Sequence, residues 1–165
     1  MRQKYAVLFL LWLIPVIWMG FIFSLSAETA AESSETSGSL LSAILSVLND
    51  EFDSYSAEEQ KALVENYSFL IRKAAHFSVY AALGFFLSNV FDYQNRIIGI
   101  KRNRFCVVPS IAVGGLYAVS DEIHQYFVPG RSCEVRDMII DTAGVLLGVV
   151  CSRFLIHFLE KKKKA

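Results

Sequence analysis

The sequence is poor in charge and in residues that break helices. Only 19% of its 165 residues are charged and only 3 are proline, whereas 54% are hydrophobic. A typical soluble domain has about 25% charged residues, and the mean hydropathy of this chain is +0.41. This composition argues against an ordinary soluble domain and favours a chain that lies largely in lipid.

Cysteine is also scarce. The sequence has 3 cysteines, Cys106, Cys133 and Cys151, and two of them lie inside apolar runs. An odd number at no metal-like spacing argues against a disulfide framework and against a cysteine-ligated zinc site. We therefore interpret the three cysteines as structural residues.

Several motifs that carry chemistry are missing from the sequence. It contains no internal repeat, no glycine-rich phosphate loop, no His-Glu-x-x-His and no Gly-x-Ser-x-Gly. Its basic residues do not form a nucleic-acid-binding pattern, because membrane topology explains their positions. We predict no cofactor, no metal ion and no nucleic-acid partner.

Four apolar runs can span a lipid bilayer, which takes about 20 residues of helix. They lie at about 5–25, 74–91, 105–127 and 138–158. The third run is apolar only over 105–120, so it crosses only if it continues through the polar residues that follow. The first run exceeds the 7 to 15 apolar residues usual in a cleaved signal peptide, and we interpret it as a retained anchor. We predict an all-α integral membrane four-helix bundle, forming one domain over residues 1–165.

The charged residues are few but strongly segregated. Basic residues precede the first span, separate the second from the third and follow the fourth: Arg2, Lys4, Arg96, Lys101, Arg102, Arg104 and Lys161 to Lys164. Segment 27–71 holds nine acids and a single base, Lys61. Because cytoplasmic loops carry an excess of lysine and arginine, both termini are predicted in the cytoplasm of a multi-pass cell-membrane protein. Segment 27–71 is then an extracellular loop.

That loop is predicted to contain helices. Ala27–Ser39 is rich in Ser, Thr and Glu and is expected to be flexible, whereas residues 40–48 have apolar side chains at helical spacing. A short amphipathic helix on the membrane surface fits the second pattern. Ser56 and Glu59 form a capping-box pair that opens another helix, which can run directly into the second span.

Polar residues gather at the predicted outer ends of the spans. Asp121, His124 and Gln125 share one face of a helix, and Glu122 lies about 100° away. Charged residues facing lipid are costly, so these groups should face protein or water. The candidate residues of a shared polar pocket are Arg72, Lys73, His76, Tyr80, Asp121, Glu122, His124, Gln125, Arg131, Asp137 and Asp141.

These residues carry a family resemblance. The motifs are FSLS at 23–26, RKAAHFxxYAxLG at 72–84, SDExHQxFxPGR at 120–131 and an aspartate and glycine at 137 and 144. Together they closely resemble the pattern of the VanZ-like family. The resemblance implies a membrane protein of the cell envelope, with a link to glycopeptide (teicoplanin) resistance, a form of antibiotic resistance, but it names no reaction. The family usually has Glu where this chain has Val79, and Asn where it has Asp141.

Three interpretations of the polar residues remain open. They could form a structural network that only holds the helices together. They could form an outward-facing pocket that binds a cell-wall precursor or a glycopeptide-like ligand. The arginines would then bind acidic groups of the ligand, and the aspartates would bind an amine of the ligand. Or they could form an enzyme that modifies an envelope lipid or peptide, with His76 or His124 as the base or with a divalent metal. The binding pocket is preferred, the catalytic residues are unknown, and the oligomeric state is open.

The predicted topology can be tested by cysteine labelling of intact cells. In a background without native cysteines, a cysteine at Ser34 should react with a membrane-impermeant maleimide, because the 27–71 loop is predicted outside. A cysteine at Asn103 should react only after the cells are opened. Labelling of the Asn103 cysteine in intact cells, with none at Ser34, would reverse the orientation.

Overall fold

The structure is a computed structural model that describes residues 2–100 and 104–162. Its helices are α1 (Arg2–Ser26), α2 (Ala30–Leu48), α3 (Ala57–Ile97), α4 (Arg104–Gln125) and α5 (Val135–Lys162), with one 3₁₀ turn, Phe52–Ser54, before α3. The described residues contain no strand, which confirms the all-α class. Lys101, Arg102, Asn103, Lys163 and Lys164, which enter the topology prediction or its test, lie outside the described residues.

Four of the helices are long and apolar enough to cross a membrane: α1, α3, α4 from Phe105 onward, and α5. The predicted number of spans agrees with this. α4 ends at Gln125, so Asp121 and Glu122 do belong to the helix that carries the third apolar run. The side of the membrane on which the termini lie remains a prediction.

α3 is much longer than a bilayer requires. Its 41 residues correspond to about 60 Å of helix, against a hydrocarbon core of about 30 Å. The predicted capping box opens it: the Glu59 N–H donates to Ser56 Oγ at 3.3 Å, and the Ser56 N–H donates to Glu59 Oε2 at 2.9 Å. The helix from Ser56 therefore runs unbroken into the second span.

The expectation that Ala27–Ser39 is flexible is wrong. α2 begins at Ala30 because Thr29 and Glu32 form a second capping box. The Thr29 N–H donates to Glu32 Oε2 at 2.8 Å, and the hydrogen bonds from the backbone and side chain of Thr29 lower the pKa of Glu32. α2 also packs on α3, with Leu41 only 5% exposed. Capping and packing together outweigh the polar composition of this segment.

α3 and α5 form the central pair of the bundle, and glycines bring them close together. A Cβ at Gly148 would overlap the carbonyl oxygen of Ala81, and a Cβ at Gly84 would overlap the carbonyl oxygen of Val145. The core around this contact consists of Ile22, Tyr80, Leu83, Leu87, Ala118, Val145 and Val149. Gly144 and Gly148, which lie four residues apart on α5, therefore allow the two helices to approach closely.

α1 contacts the other helices through fewer residues and leaves large apolar side chains outside, such as Phe9 and Ile17 at 66% and 69% exposure. Hydrogen bonds fix it in place. Trp18 Nε1 donates to the Val79 carbonyl at 2.8 Å, and the Tyr117 hydroxyl donates to the Met19 carbonyl at 2.6 Å. The exposed side chains of α1 suit contact with lipid tails.

The close contact between α3 and α5 at the glycines predicts that adding a single methyl group there destabilises the fold. Gly148→Ala is expected to lower the free energy of unfolding by about 1–3 kcal/mol, because the new Cβ meets backbone that must move. Gly20→Ala is the matched control, since a Cβ there meets nothing within 4 Å. Thermal unfolding in detergent should show a lower Tm for Gly148→Ala alone. Equal Tm values for the two variants would contradict the proposed packing.

Candidate functional site

Four helix segments meet at one level of the bundle. They are the end of α1, the middle of α3, the end of α4 and the start of α5, and the 126–134 connector joins the last two. Beside this meeting point, a cavity of about 130 Å³ lies between the start of α2, the middle of α3, the end of α4, the connector and the start of α5. Its walls are Ala30, Phe69, Arg72, Lys73, His76, Gln125, Gly130, Arg131, Ser132, Glu134, Asp137, Ile140 and Asp141. The cavity therefore has charges of both signs on its surface.

The end of α4 forms a buried hydrogen-bonded chain. Asp121 and Glu122 are only 2% and 1% exposed. Asp121 Oδ2 accepts a hydrogen bond from the Ser26 hydroxyl at 2.7 Å and one from Gln125 Nε2 at 3.2 Å. Gln125 Nε2 also lies 3.2 Å from Glu122 Oε1. One amide thus joins two adjacent acids, and the hydroxyl at the end of α1 completes the chain.

Arg131 closes this chain from the connector. Its Nη1 donates to Gln125 Oε1 at 3.0 Å, and its Nη2 donates to the Leu25 carbonyl at 3.3 Å. Gly130 makes the turn possible with a φ of 76°, a value that suits glycine. Burial lowers the pKa of Arg131, but a guanidinium stays protonated in proteins. The cavity therefore contains a fixed positive charge.

Two further contacts tie α3 and α4 to α5. Glu122 Oε2 accepts a hydrogen bond from the Glu134 N–H at 3.0 Å, next to the start of α5. Lys73 forms an ion pair with Asp137, and both side chains are mostly buried. Glu122 therefore links the end of α4 to the start of α5, although it lies on a different face of α4 from Asp121 and Gln125.

Arg72 reaches in the other direction, towards α2. Its Nη2 donates to Ser34 Oγ at 2.6 Å, while its Nε is buried and has no hydrogen-bond partner among the described residues. Arg72 and His76 also line a second, mainly apolar cavity of about 80 Å³ with Ile22, Leu25, Glu28, Ser33, Thr36, Ser37, Ala75 and Val79. The polar cavity and the apolar cavity thus share a wall.

The structure brings most of the predicted pocket residues together. Seven of them line the polar cavity: Arg72, Lys73, His76, Gln125, Arg131, Asp137 and Asp141. Tyr80, Asp121 and Glu122 are buried next to it, at 0%, 2% and 1% exposure. His124 is the exception: its ring stacks on Phe23, with centroids 4.2 Å apart, and it does not line the cavity. The functional roles of all these residues remain predictions.

Sequence reasoning missed two serines of this region, Ser26 and Ser34. Ser26 is 0% exposed and bonded to Asp121, and its place in the FSLS motif at 23–26 was the available signal. Ser34 lies in the segment expected to be flexible, so no signal marked it. The helix that places Ser34 also brings Ala30 to the cavity, where its N–H donates to the Pro129 carbonyl at 3.3 Å.

A comparison with protein families identifies the family of the chain. A model described as VanZ/LLP1 matches residues 9–157, which include all four candidate spans in large part and the whole polar site. The chain belongs to the VanZ/LLP1 family. The VanZ-like resemblance is therefore confirmed, and membership supports a multi-pass membrane protein. No curated protein and no solved structure matches the chain.

The junction between α4 and α5 gives a prediction for Glu122. Glu122→Ala should lower the free energy of unfolding by about 1–3 kcal/mol, because it leaves the partly buried Glu134 N–H without its acceptor and leaves the Gln125 amide with only Asp121 as an acceptor. Glu122→Gln keeps a carbonyl oxygen and should cost clearly less. Thermal unfolding of both variants in detergent measures the difference. If both variants unfold at the same temperature, the hydrogen bonds of Glu122 do not hold the junction.

Proposed function

We propose that the chain is a cell-envelope protein whose polar cavity faces outward and binds a ligand carrying both charge signs. The peptide part of a cell-wall precursor or a glycopeptide such as teicoplanin fits this description. The observation that carries the proposal is the cavity of about 130 Å³ whose wall contains arginine and lysine side chains as well as carboxylates.

Unused hydrogen-bonding capacity in the cavity wall supports a ligand. Arg72 Nε and Asp137 Oδ1 are buried and have no hydrogen-bond partner among the described residues. Buried polar groups normally form hydrogen bonds, and leaving such a group without a partner lowers the stability of the fold. A guanidinium N–H suits a carboxylate or phosphate of the ligand, whereas a carboxylate oxygen suits an amine.

The apolar cavity beside Arg72 and His76 extends the same site. Its wall includes Ile22, Leu25 and Val79, so it can take an apolar group attached to a charged one. Binding sites typically combine an apolar surface with a few placed polar groups. The predicted orientation, with both termini cytoplasmic, puts both cavities on the side from which envelope precursors and glycopeptides approach. Capture of either ligand there would contribute to glycopeptide resistance.

An enzyme acting on the same ligand is the second candidate. It is favoured by His76, whose ring lines the polar cavity beside Asp141 and could act as a base on a bound peptide or lipid. A mass change of a cell-wall precursor that requires His76 would support this candidate over simple binding. The purely structural interpretation explains the chain from Ser26 to Glu122 and the ion pairs of Asp137 with Lys73 and Arg136, but not the buried Nε of Arg72, which has no hydrogen-bond partner among the described residues.

A role in ligand binding can be distinguished from a purely structural role by comparing variants of cavity residues with a variant far from the cavity. Arg72→Gln and Asp137→Asn should each weaken binding of teicoplanin or of a muramyl pentapeptide by at least about tenfold, which is about 1.4 kcal/mol. Arg72→Gln should lose little Tm, whereas Asp137→Asn should also lower Tm because it breaks the ion pair with Lys73. Arg153→Gln is the control, since Arg153 pairs with Asp92 at the other end of the bundle. It should lower Tm and leave the affinity of the folded protein unchanged.

The measurements are calorimetric binding and thermal unfolding of the purified protein, with drug susceptibility of cells that express each variant. Susceptibility that follows affinity rather than Tm supports a binding site. If all three variants lose function only in proportion to their loss of Tm, the polar residues serve packing alone.

A further inference from the structure

Three potential metal ligands converge at the inner end of the polar cavity. A ring nitrogen of His76 and one carboxylate oxygen each of Asp121 and Asp141 all lie within 4.8 Å of one another. They come from three different helices, α3, α4 and α5. The α3–α5 contact and the hydrogen bonds at the end of α4 therefore hold this trio in place independently of any ligand in the outer part of the cavity.

The two carboxylates are buried and not neutralised. Asp121 and Asp141 are 2% and 1% exposed, and neither forms an ion pair with a lysine, arginine or histidine of the described residues. Lys73, the nearby ammonium group, pairs with Asp137 instead. Two buried carboxylates this close repel each other strongly when both are ionised. Their ionised forms need a positive charge that the side chains do not supply.

Unpartnered oxygens mark the same point. Asp121 Oδ1 and Asp141 Oδ2 are both buried without a hydrogen-bond partner among the described residues. The Tyr80 hydroxyl, on a side chain that is 0% exposed, lies beside Asp121. Asp121 Oδ2 is occupied by Ser26 and Gln125, so these contacts orient the carboxylate and leave its other oxygen available. Such orienting contacts are typical of metal-ligating carboxylates.

We propose that His76, Asp121 and Asp141 bind one divalent transition-metal ion. One imidazole and two carboxylates suit an ion of intermediate hardness, such as Zn²⁺ or Mn²⁺, better than they suit Cu⁺ or Ca²⁺. Donors bound to one ion at about 2.1 Å in a tetrahedral arrangement lie about 3.4 Å apart, so a pair of donors at the 4.8 Å limit approaches by about 1.4 Å on binding. The ion supplies the missing positive charge and satisfies the free oxygens.

The cavity gives the ion a route in and a position for a further ligand. His76 and Asp141 both line the cavity, so the ion enters from there and keeps coordination positions open towards it. Three protein ligands with an open position are typical of ions that bind water or a substrate group. The metal site goes beyond the proposed ligand pocket and does not depend on it, because Arg72 and Asp137, which test the pocket, are not metal ligands.

The test uses the full-length protein in detergent, with any affinity tag removed and metals stripped by a chelator. After incubation with Mn²⁺ or Zn²⁺ and desalting, elemental analysis should find about one equivalent of metal per chain. Each ion should raise Tm by several degrees at concentrations well above its Kd, because it binds only the folded chain. Mg²⁺ and Ca²⁺ at the same concentration should raise Tm less. The electron paramagnetic resonance spectrum of bound Mn²⁺ provides a readout that needs no activity.

Matched variants locate the site. Asp141→Asn and His76→Gln should each weaken Mn²⁺ binding by at least about tenfold. His124→Gln removes a histidine that stacks on Phe23 instead, and Glu134→Gln removes a cavity carboxylate outside the trio. Both controls should bind Mn²⁺ like the wild type. The proposal is overturned if the stripped wild type retains no metal, or if the trio variants bind as well as the controls.

Discussion

The polar site depends on the close contact between α3 and α5. Gly84, Gly144 and Gly148 let the two backbones approach so closely that a Cβ at any of these positions would meet a carbonyl oxygen of the other helix. In lipid, such packing replaces the hydrophobic driving force that joins helices in water. The same contact sets the register of the two helices. It places Lys73 against Asp137 and brings a ring nitrogen of His76 to within 4.8 Å of a carboxylate oxygen of Asp141.

The end of α4 completes the site. Burying its two acidic side chains costs free energy, and their hydrogen bonds offset only part of that cost. A buried acid is tolerated in a spanning helix when it is bonded, and Asp121 and Glu122 accept hydrogen bonds from Ser26, Gln125 and the Glu134 N–H. These bonds fix the helix ends but leave oxygen atoms unpartnered at the cavity. A network built only for packing would gain stability by replacing those groups with apolar side chains.

Much of the fold could be predicted because its signals are local. Apolar length marks the spans, and a capping box marks the start of α3. The same kind of signal, Thr29 with Glu32, was present for α2, but the polar composition of that segment hid it. The site was harder. Helical spacing put Asp121 and Gln125 on one face, yet it could not show that His124 turns to Phe23 or that Ser26 reaches Asp121, because those contacts depend on how α1 packs.

The two ends of the bundle differ in how completely their acidic side chains are paired. At the opposite end, Asp92 uses one oxygen for Arg153 and the other for Arg96, both at 2.6 Å, and Arg96 also reaches Glu160 at 2.5 Å. Both oxygens of that mostly buried carboxylate are thus paired with positive charge. At the cavity, Asp137 is also paired, with Lys73 and with Arg136 at 4.0 Å. Asp121 and Asp141, in contrast, form no ion pair, and each keeps an oxygen without a hydrogen-bond partner among the described residues. Because leaving these buried groups unpaired lowers stability, the difference between the two ends supports the proposal of a ligand or an ion at the cavity.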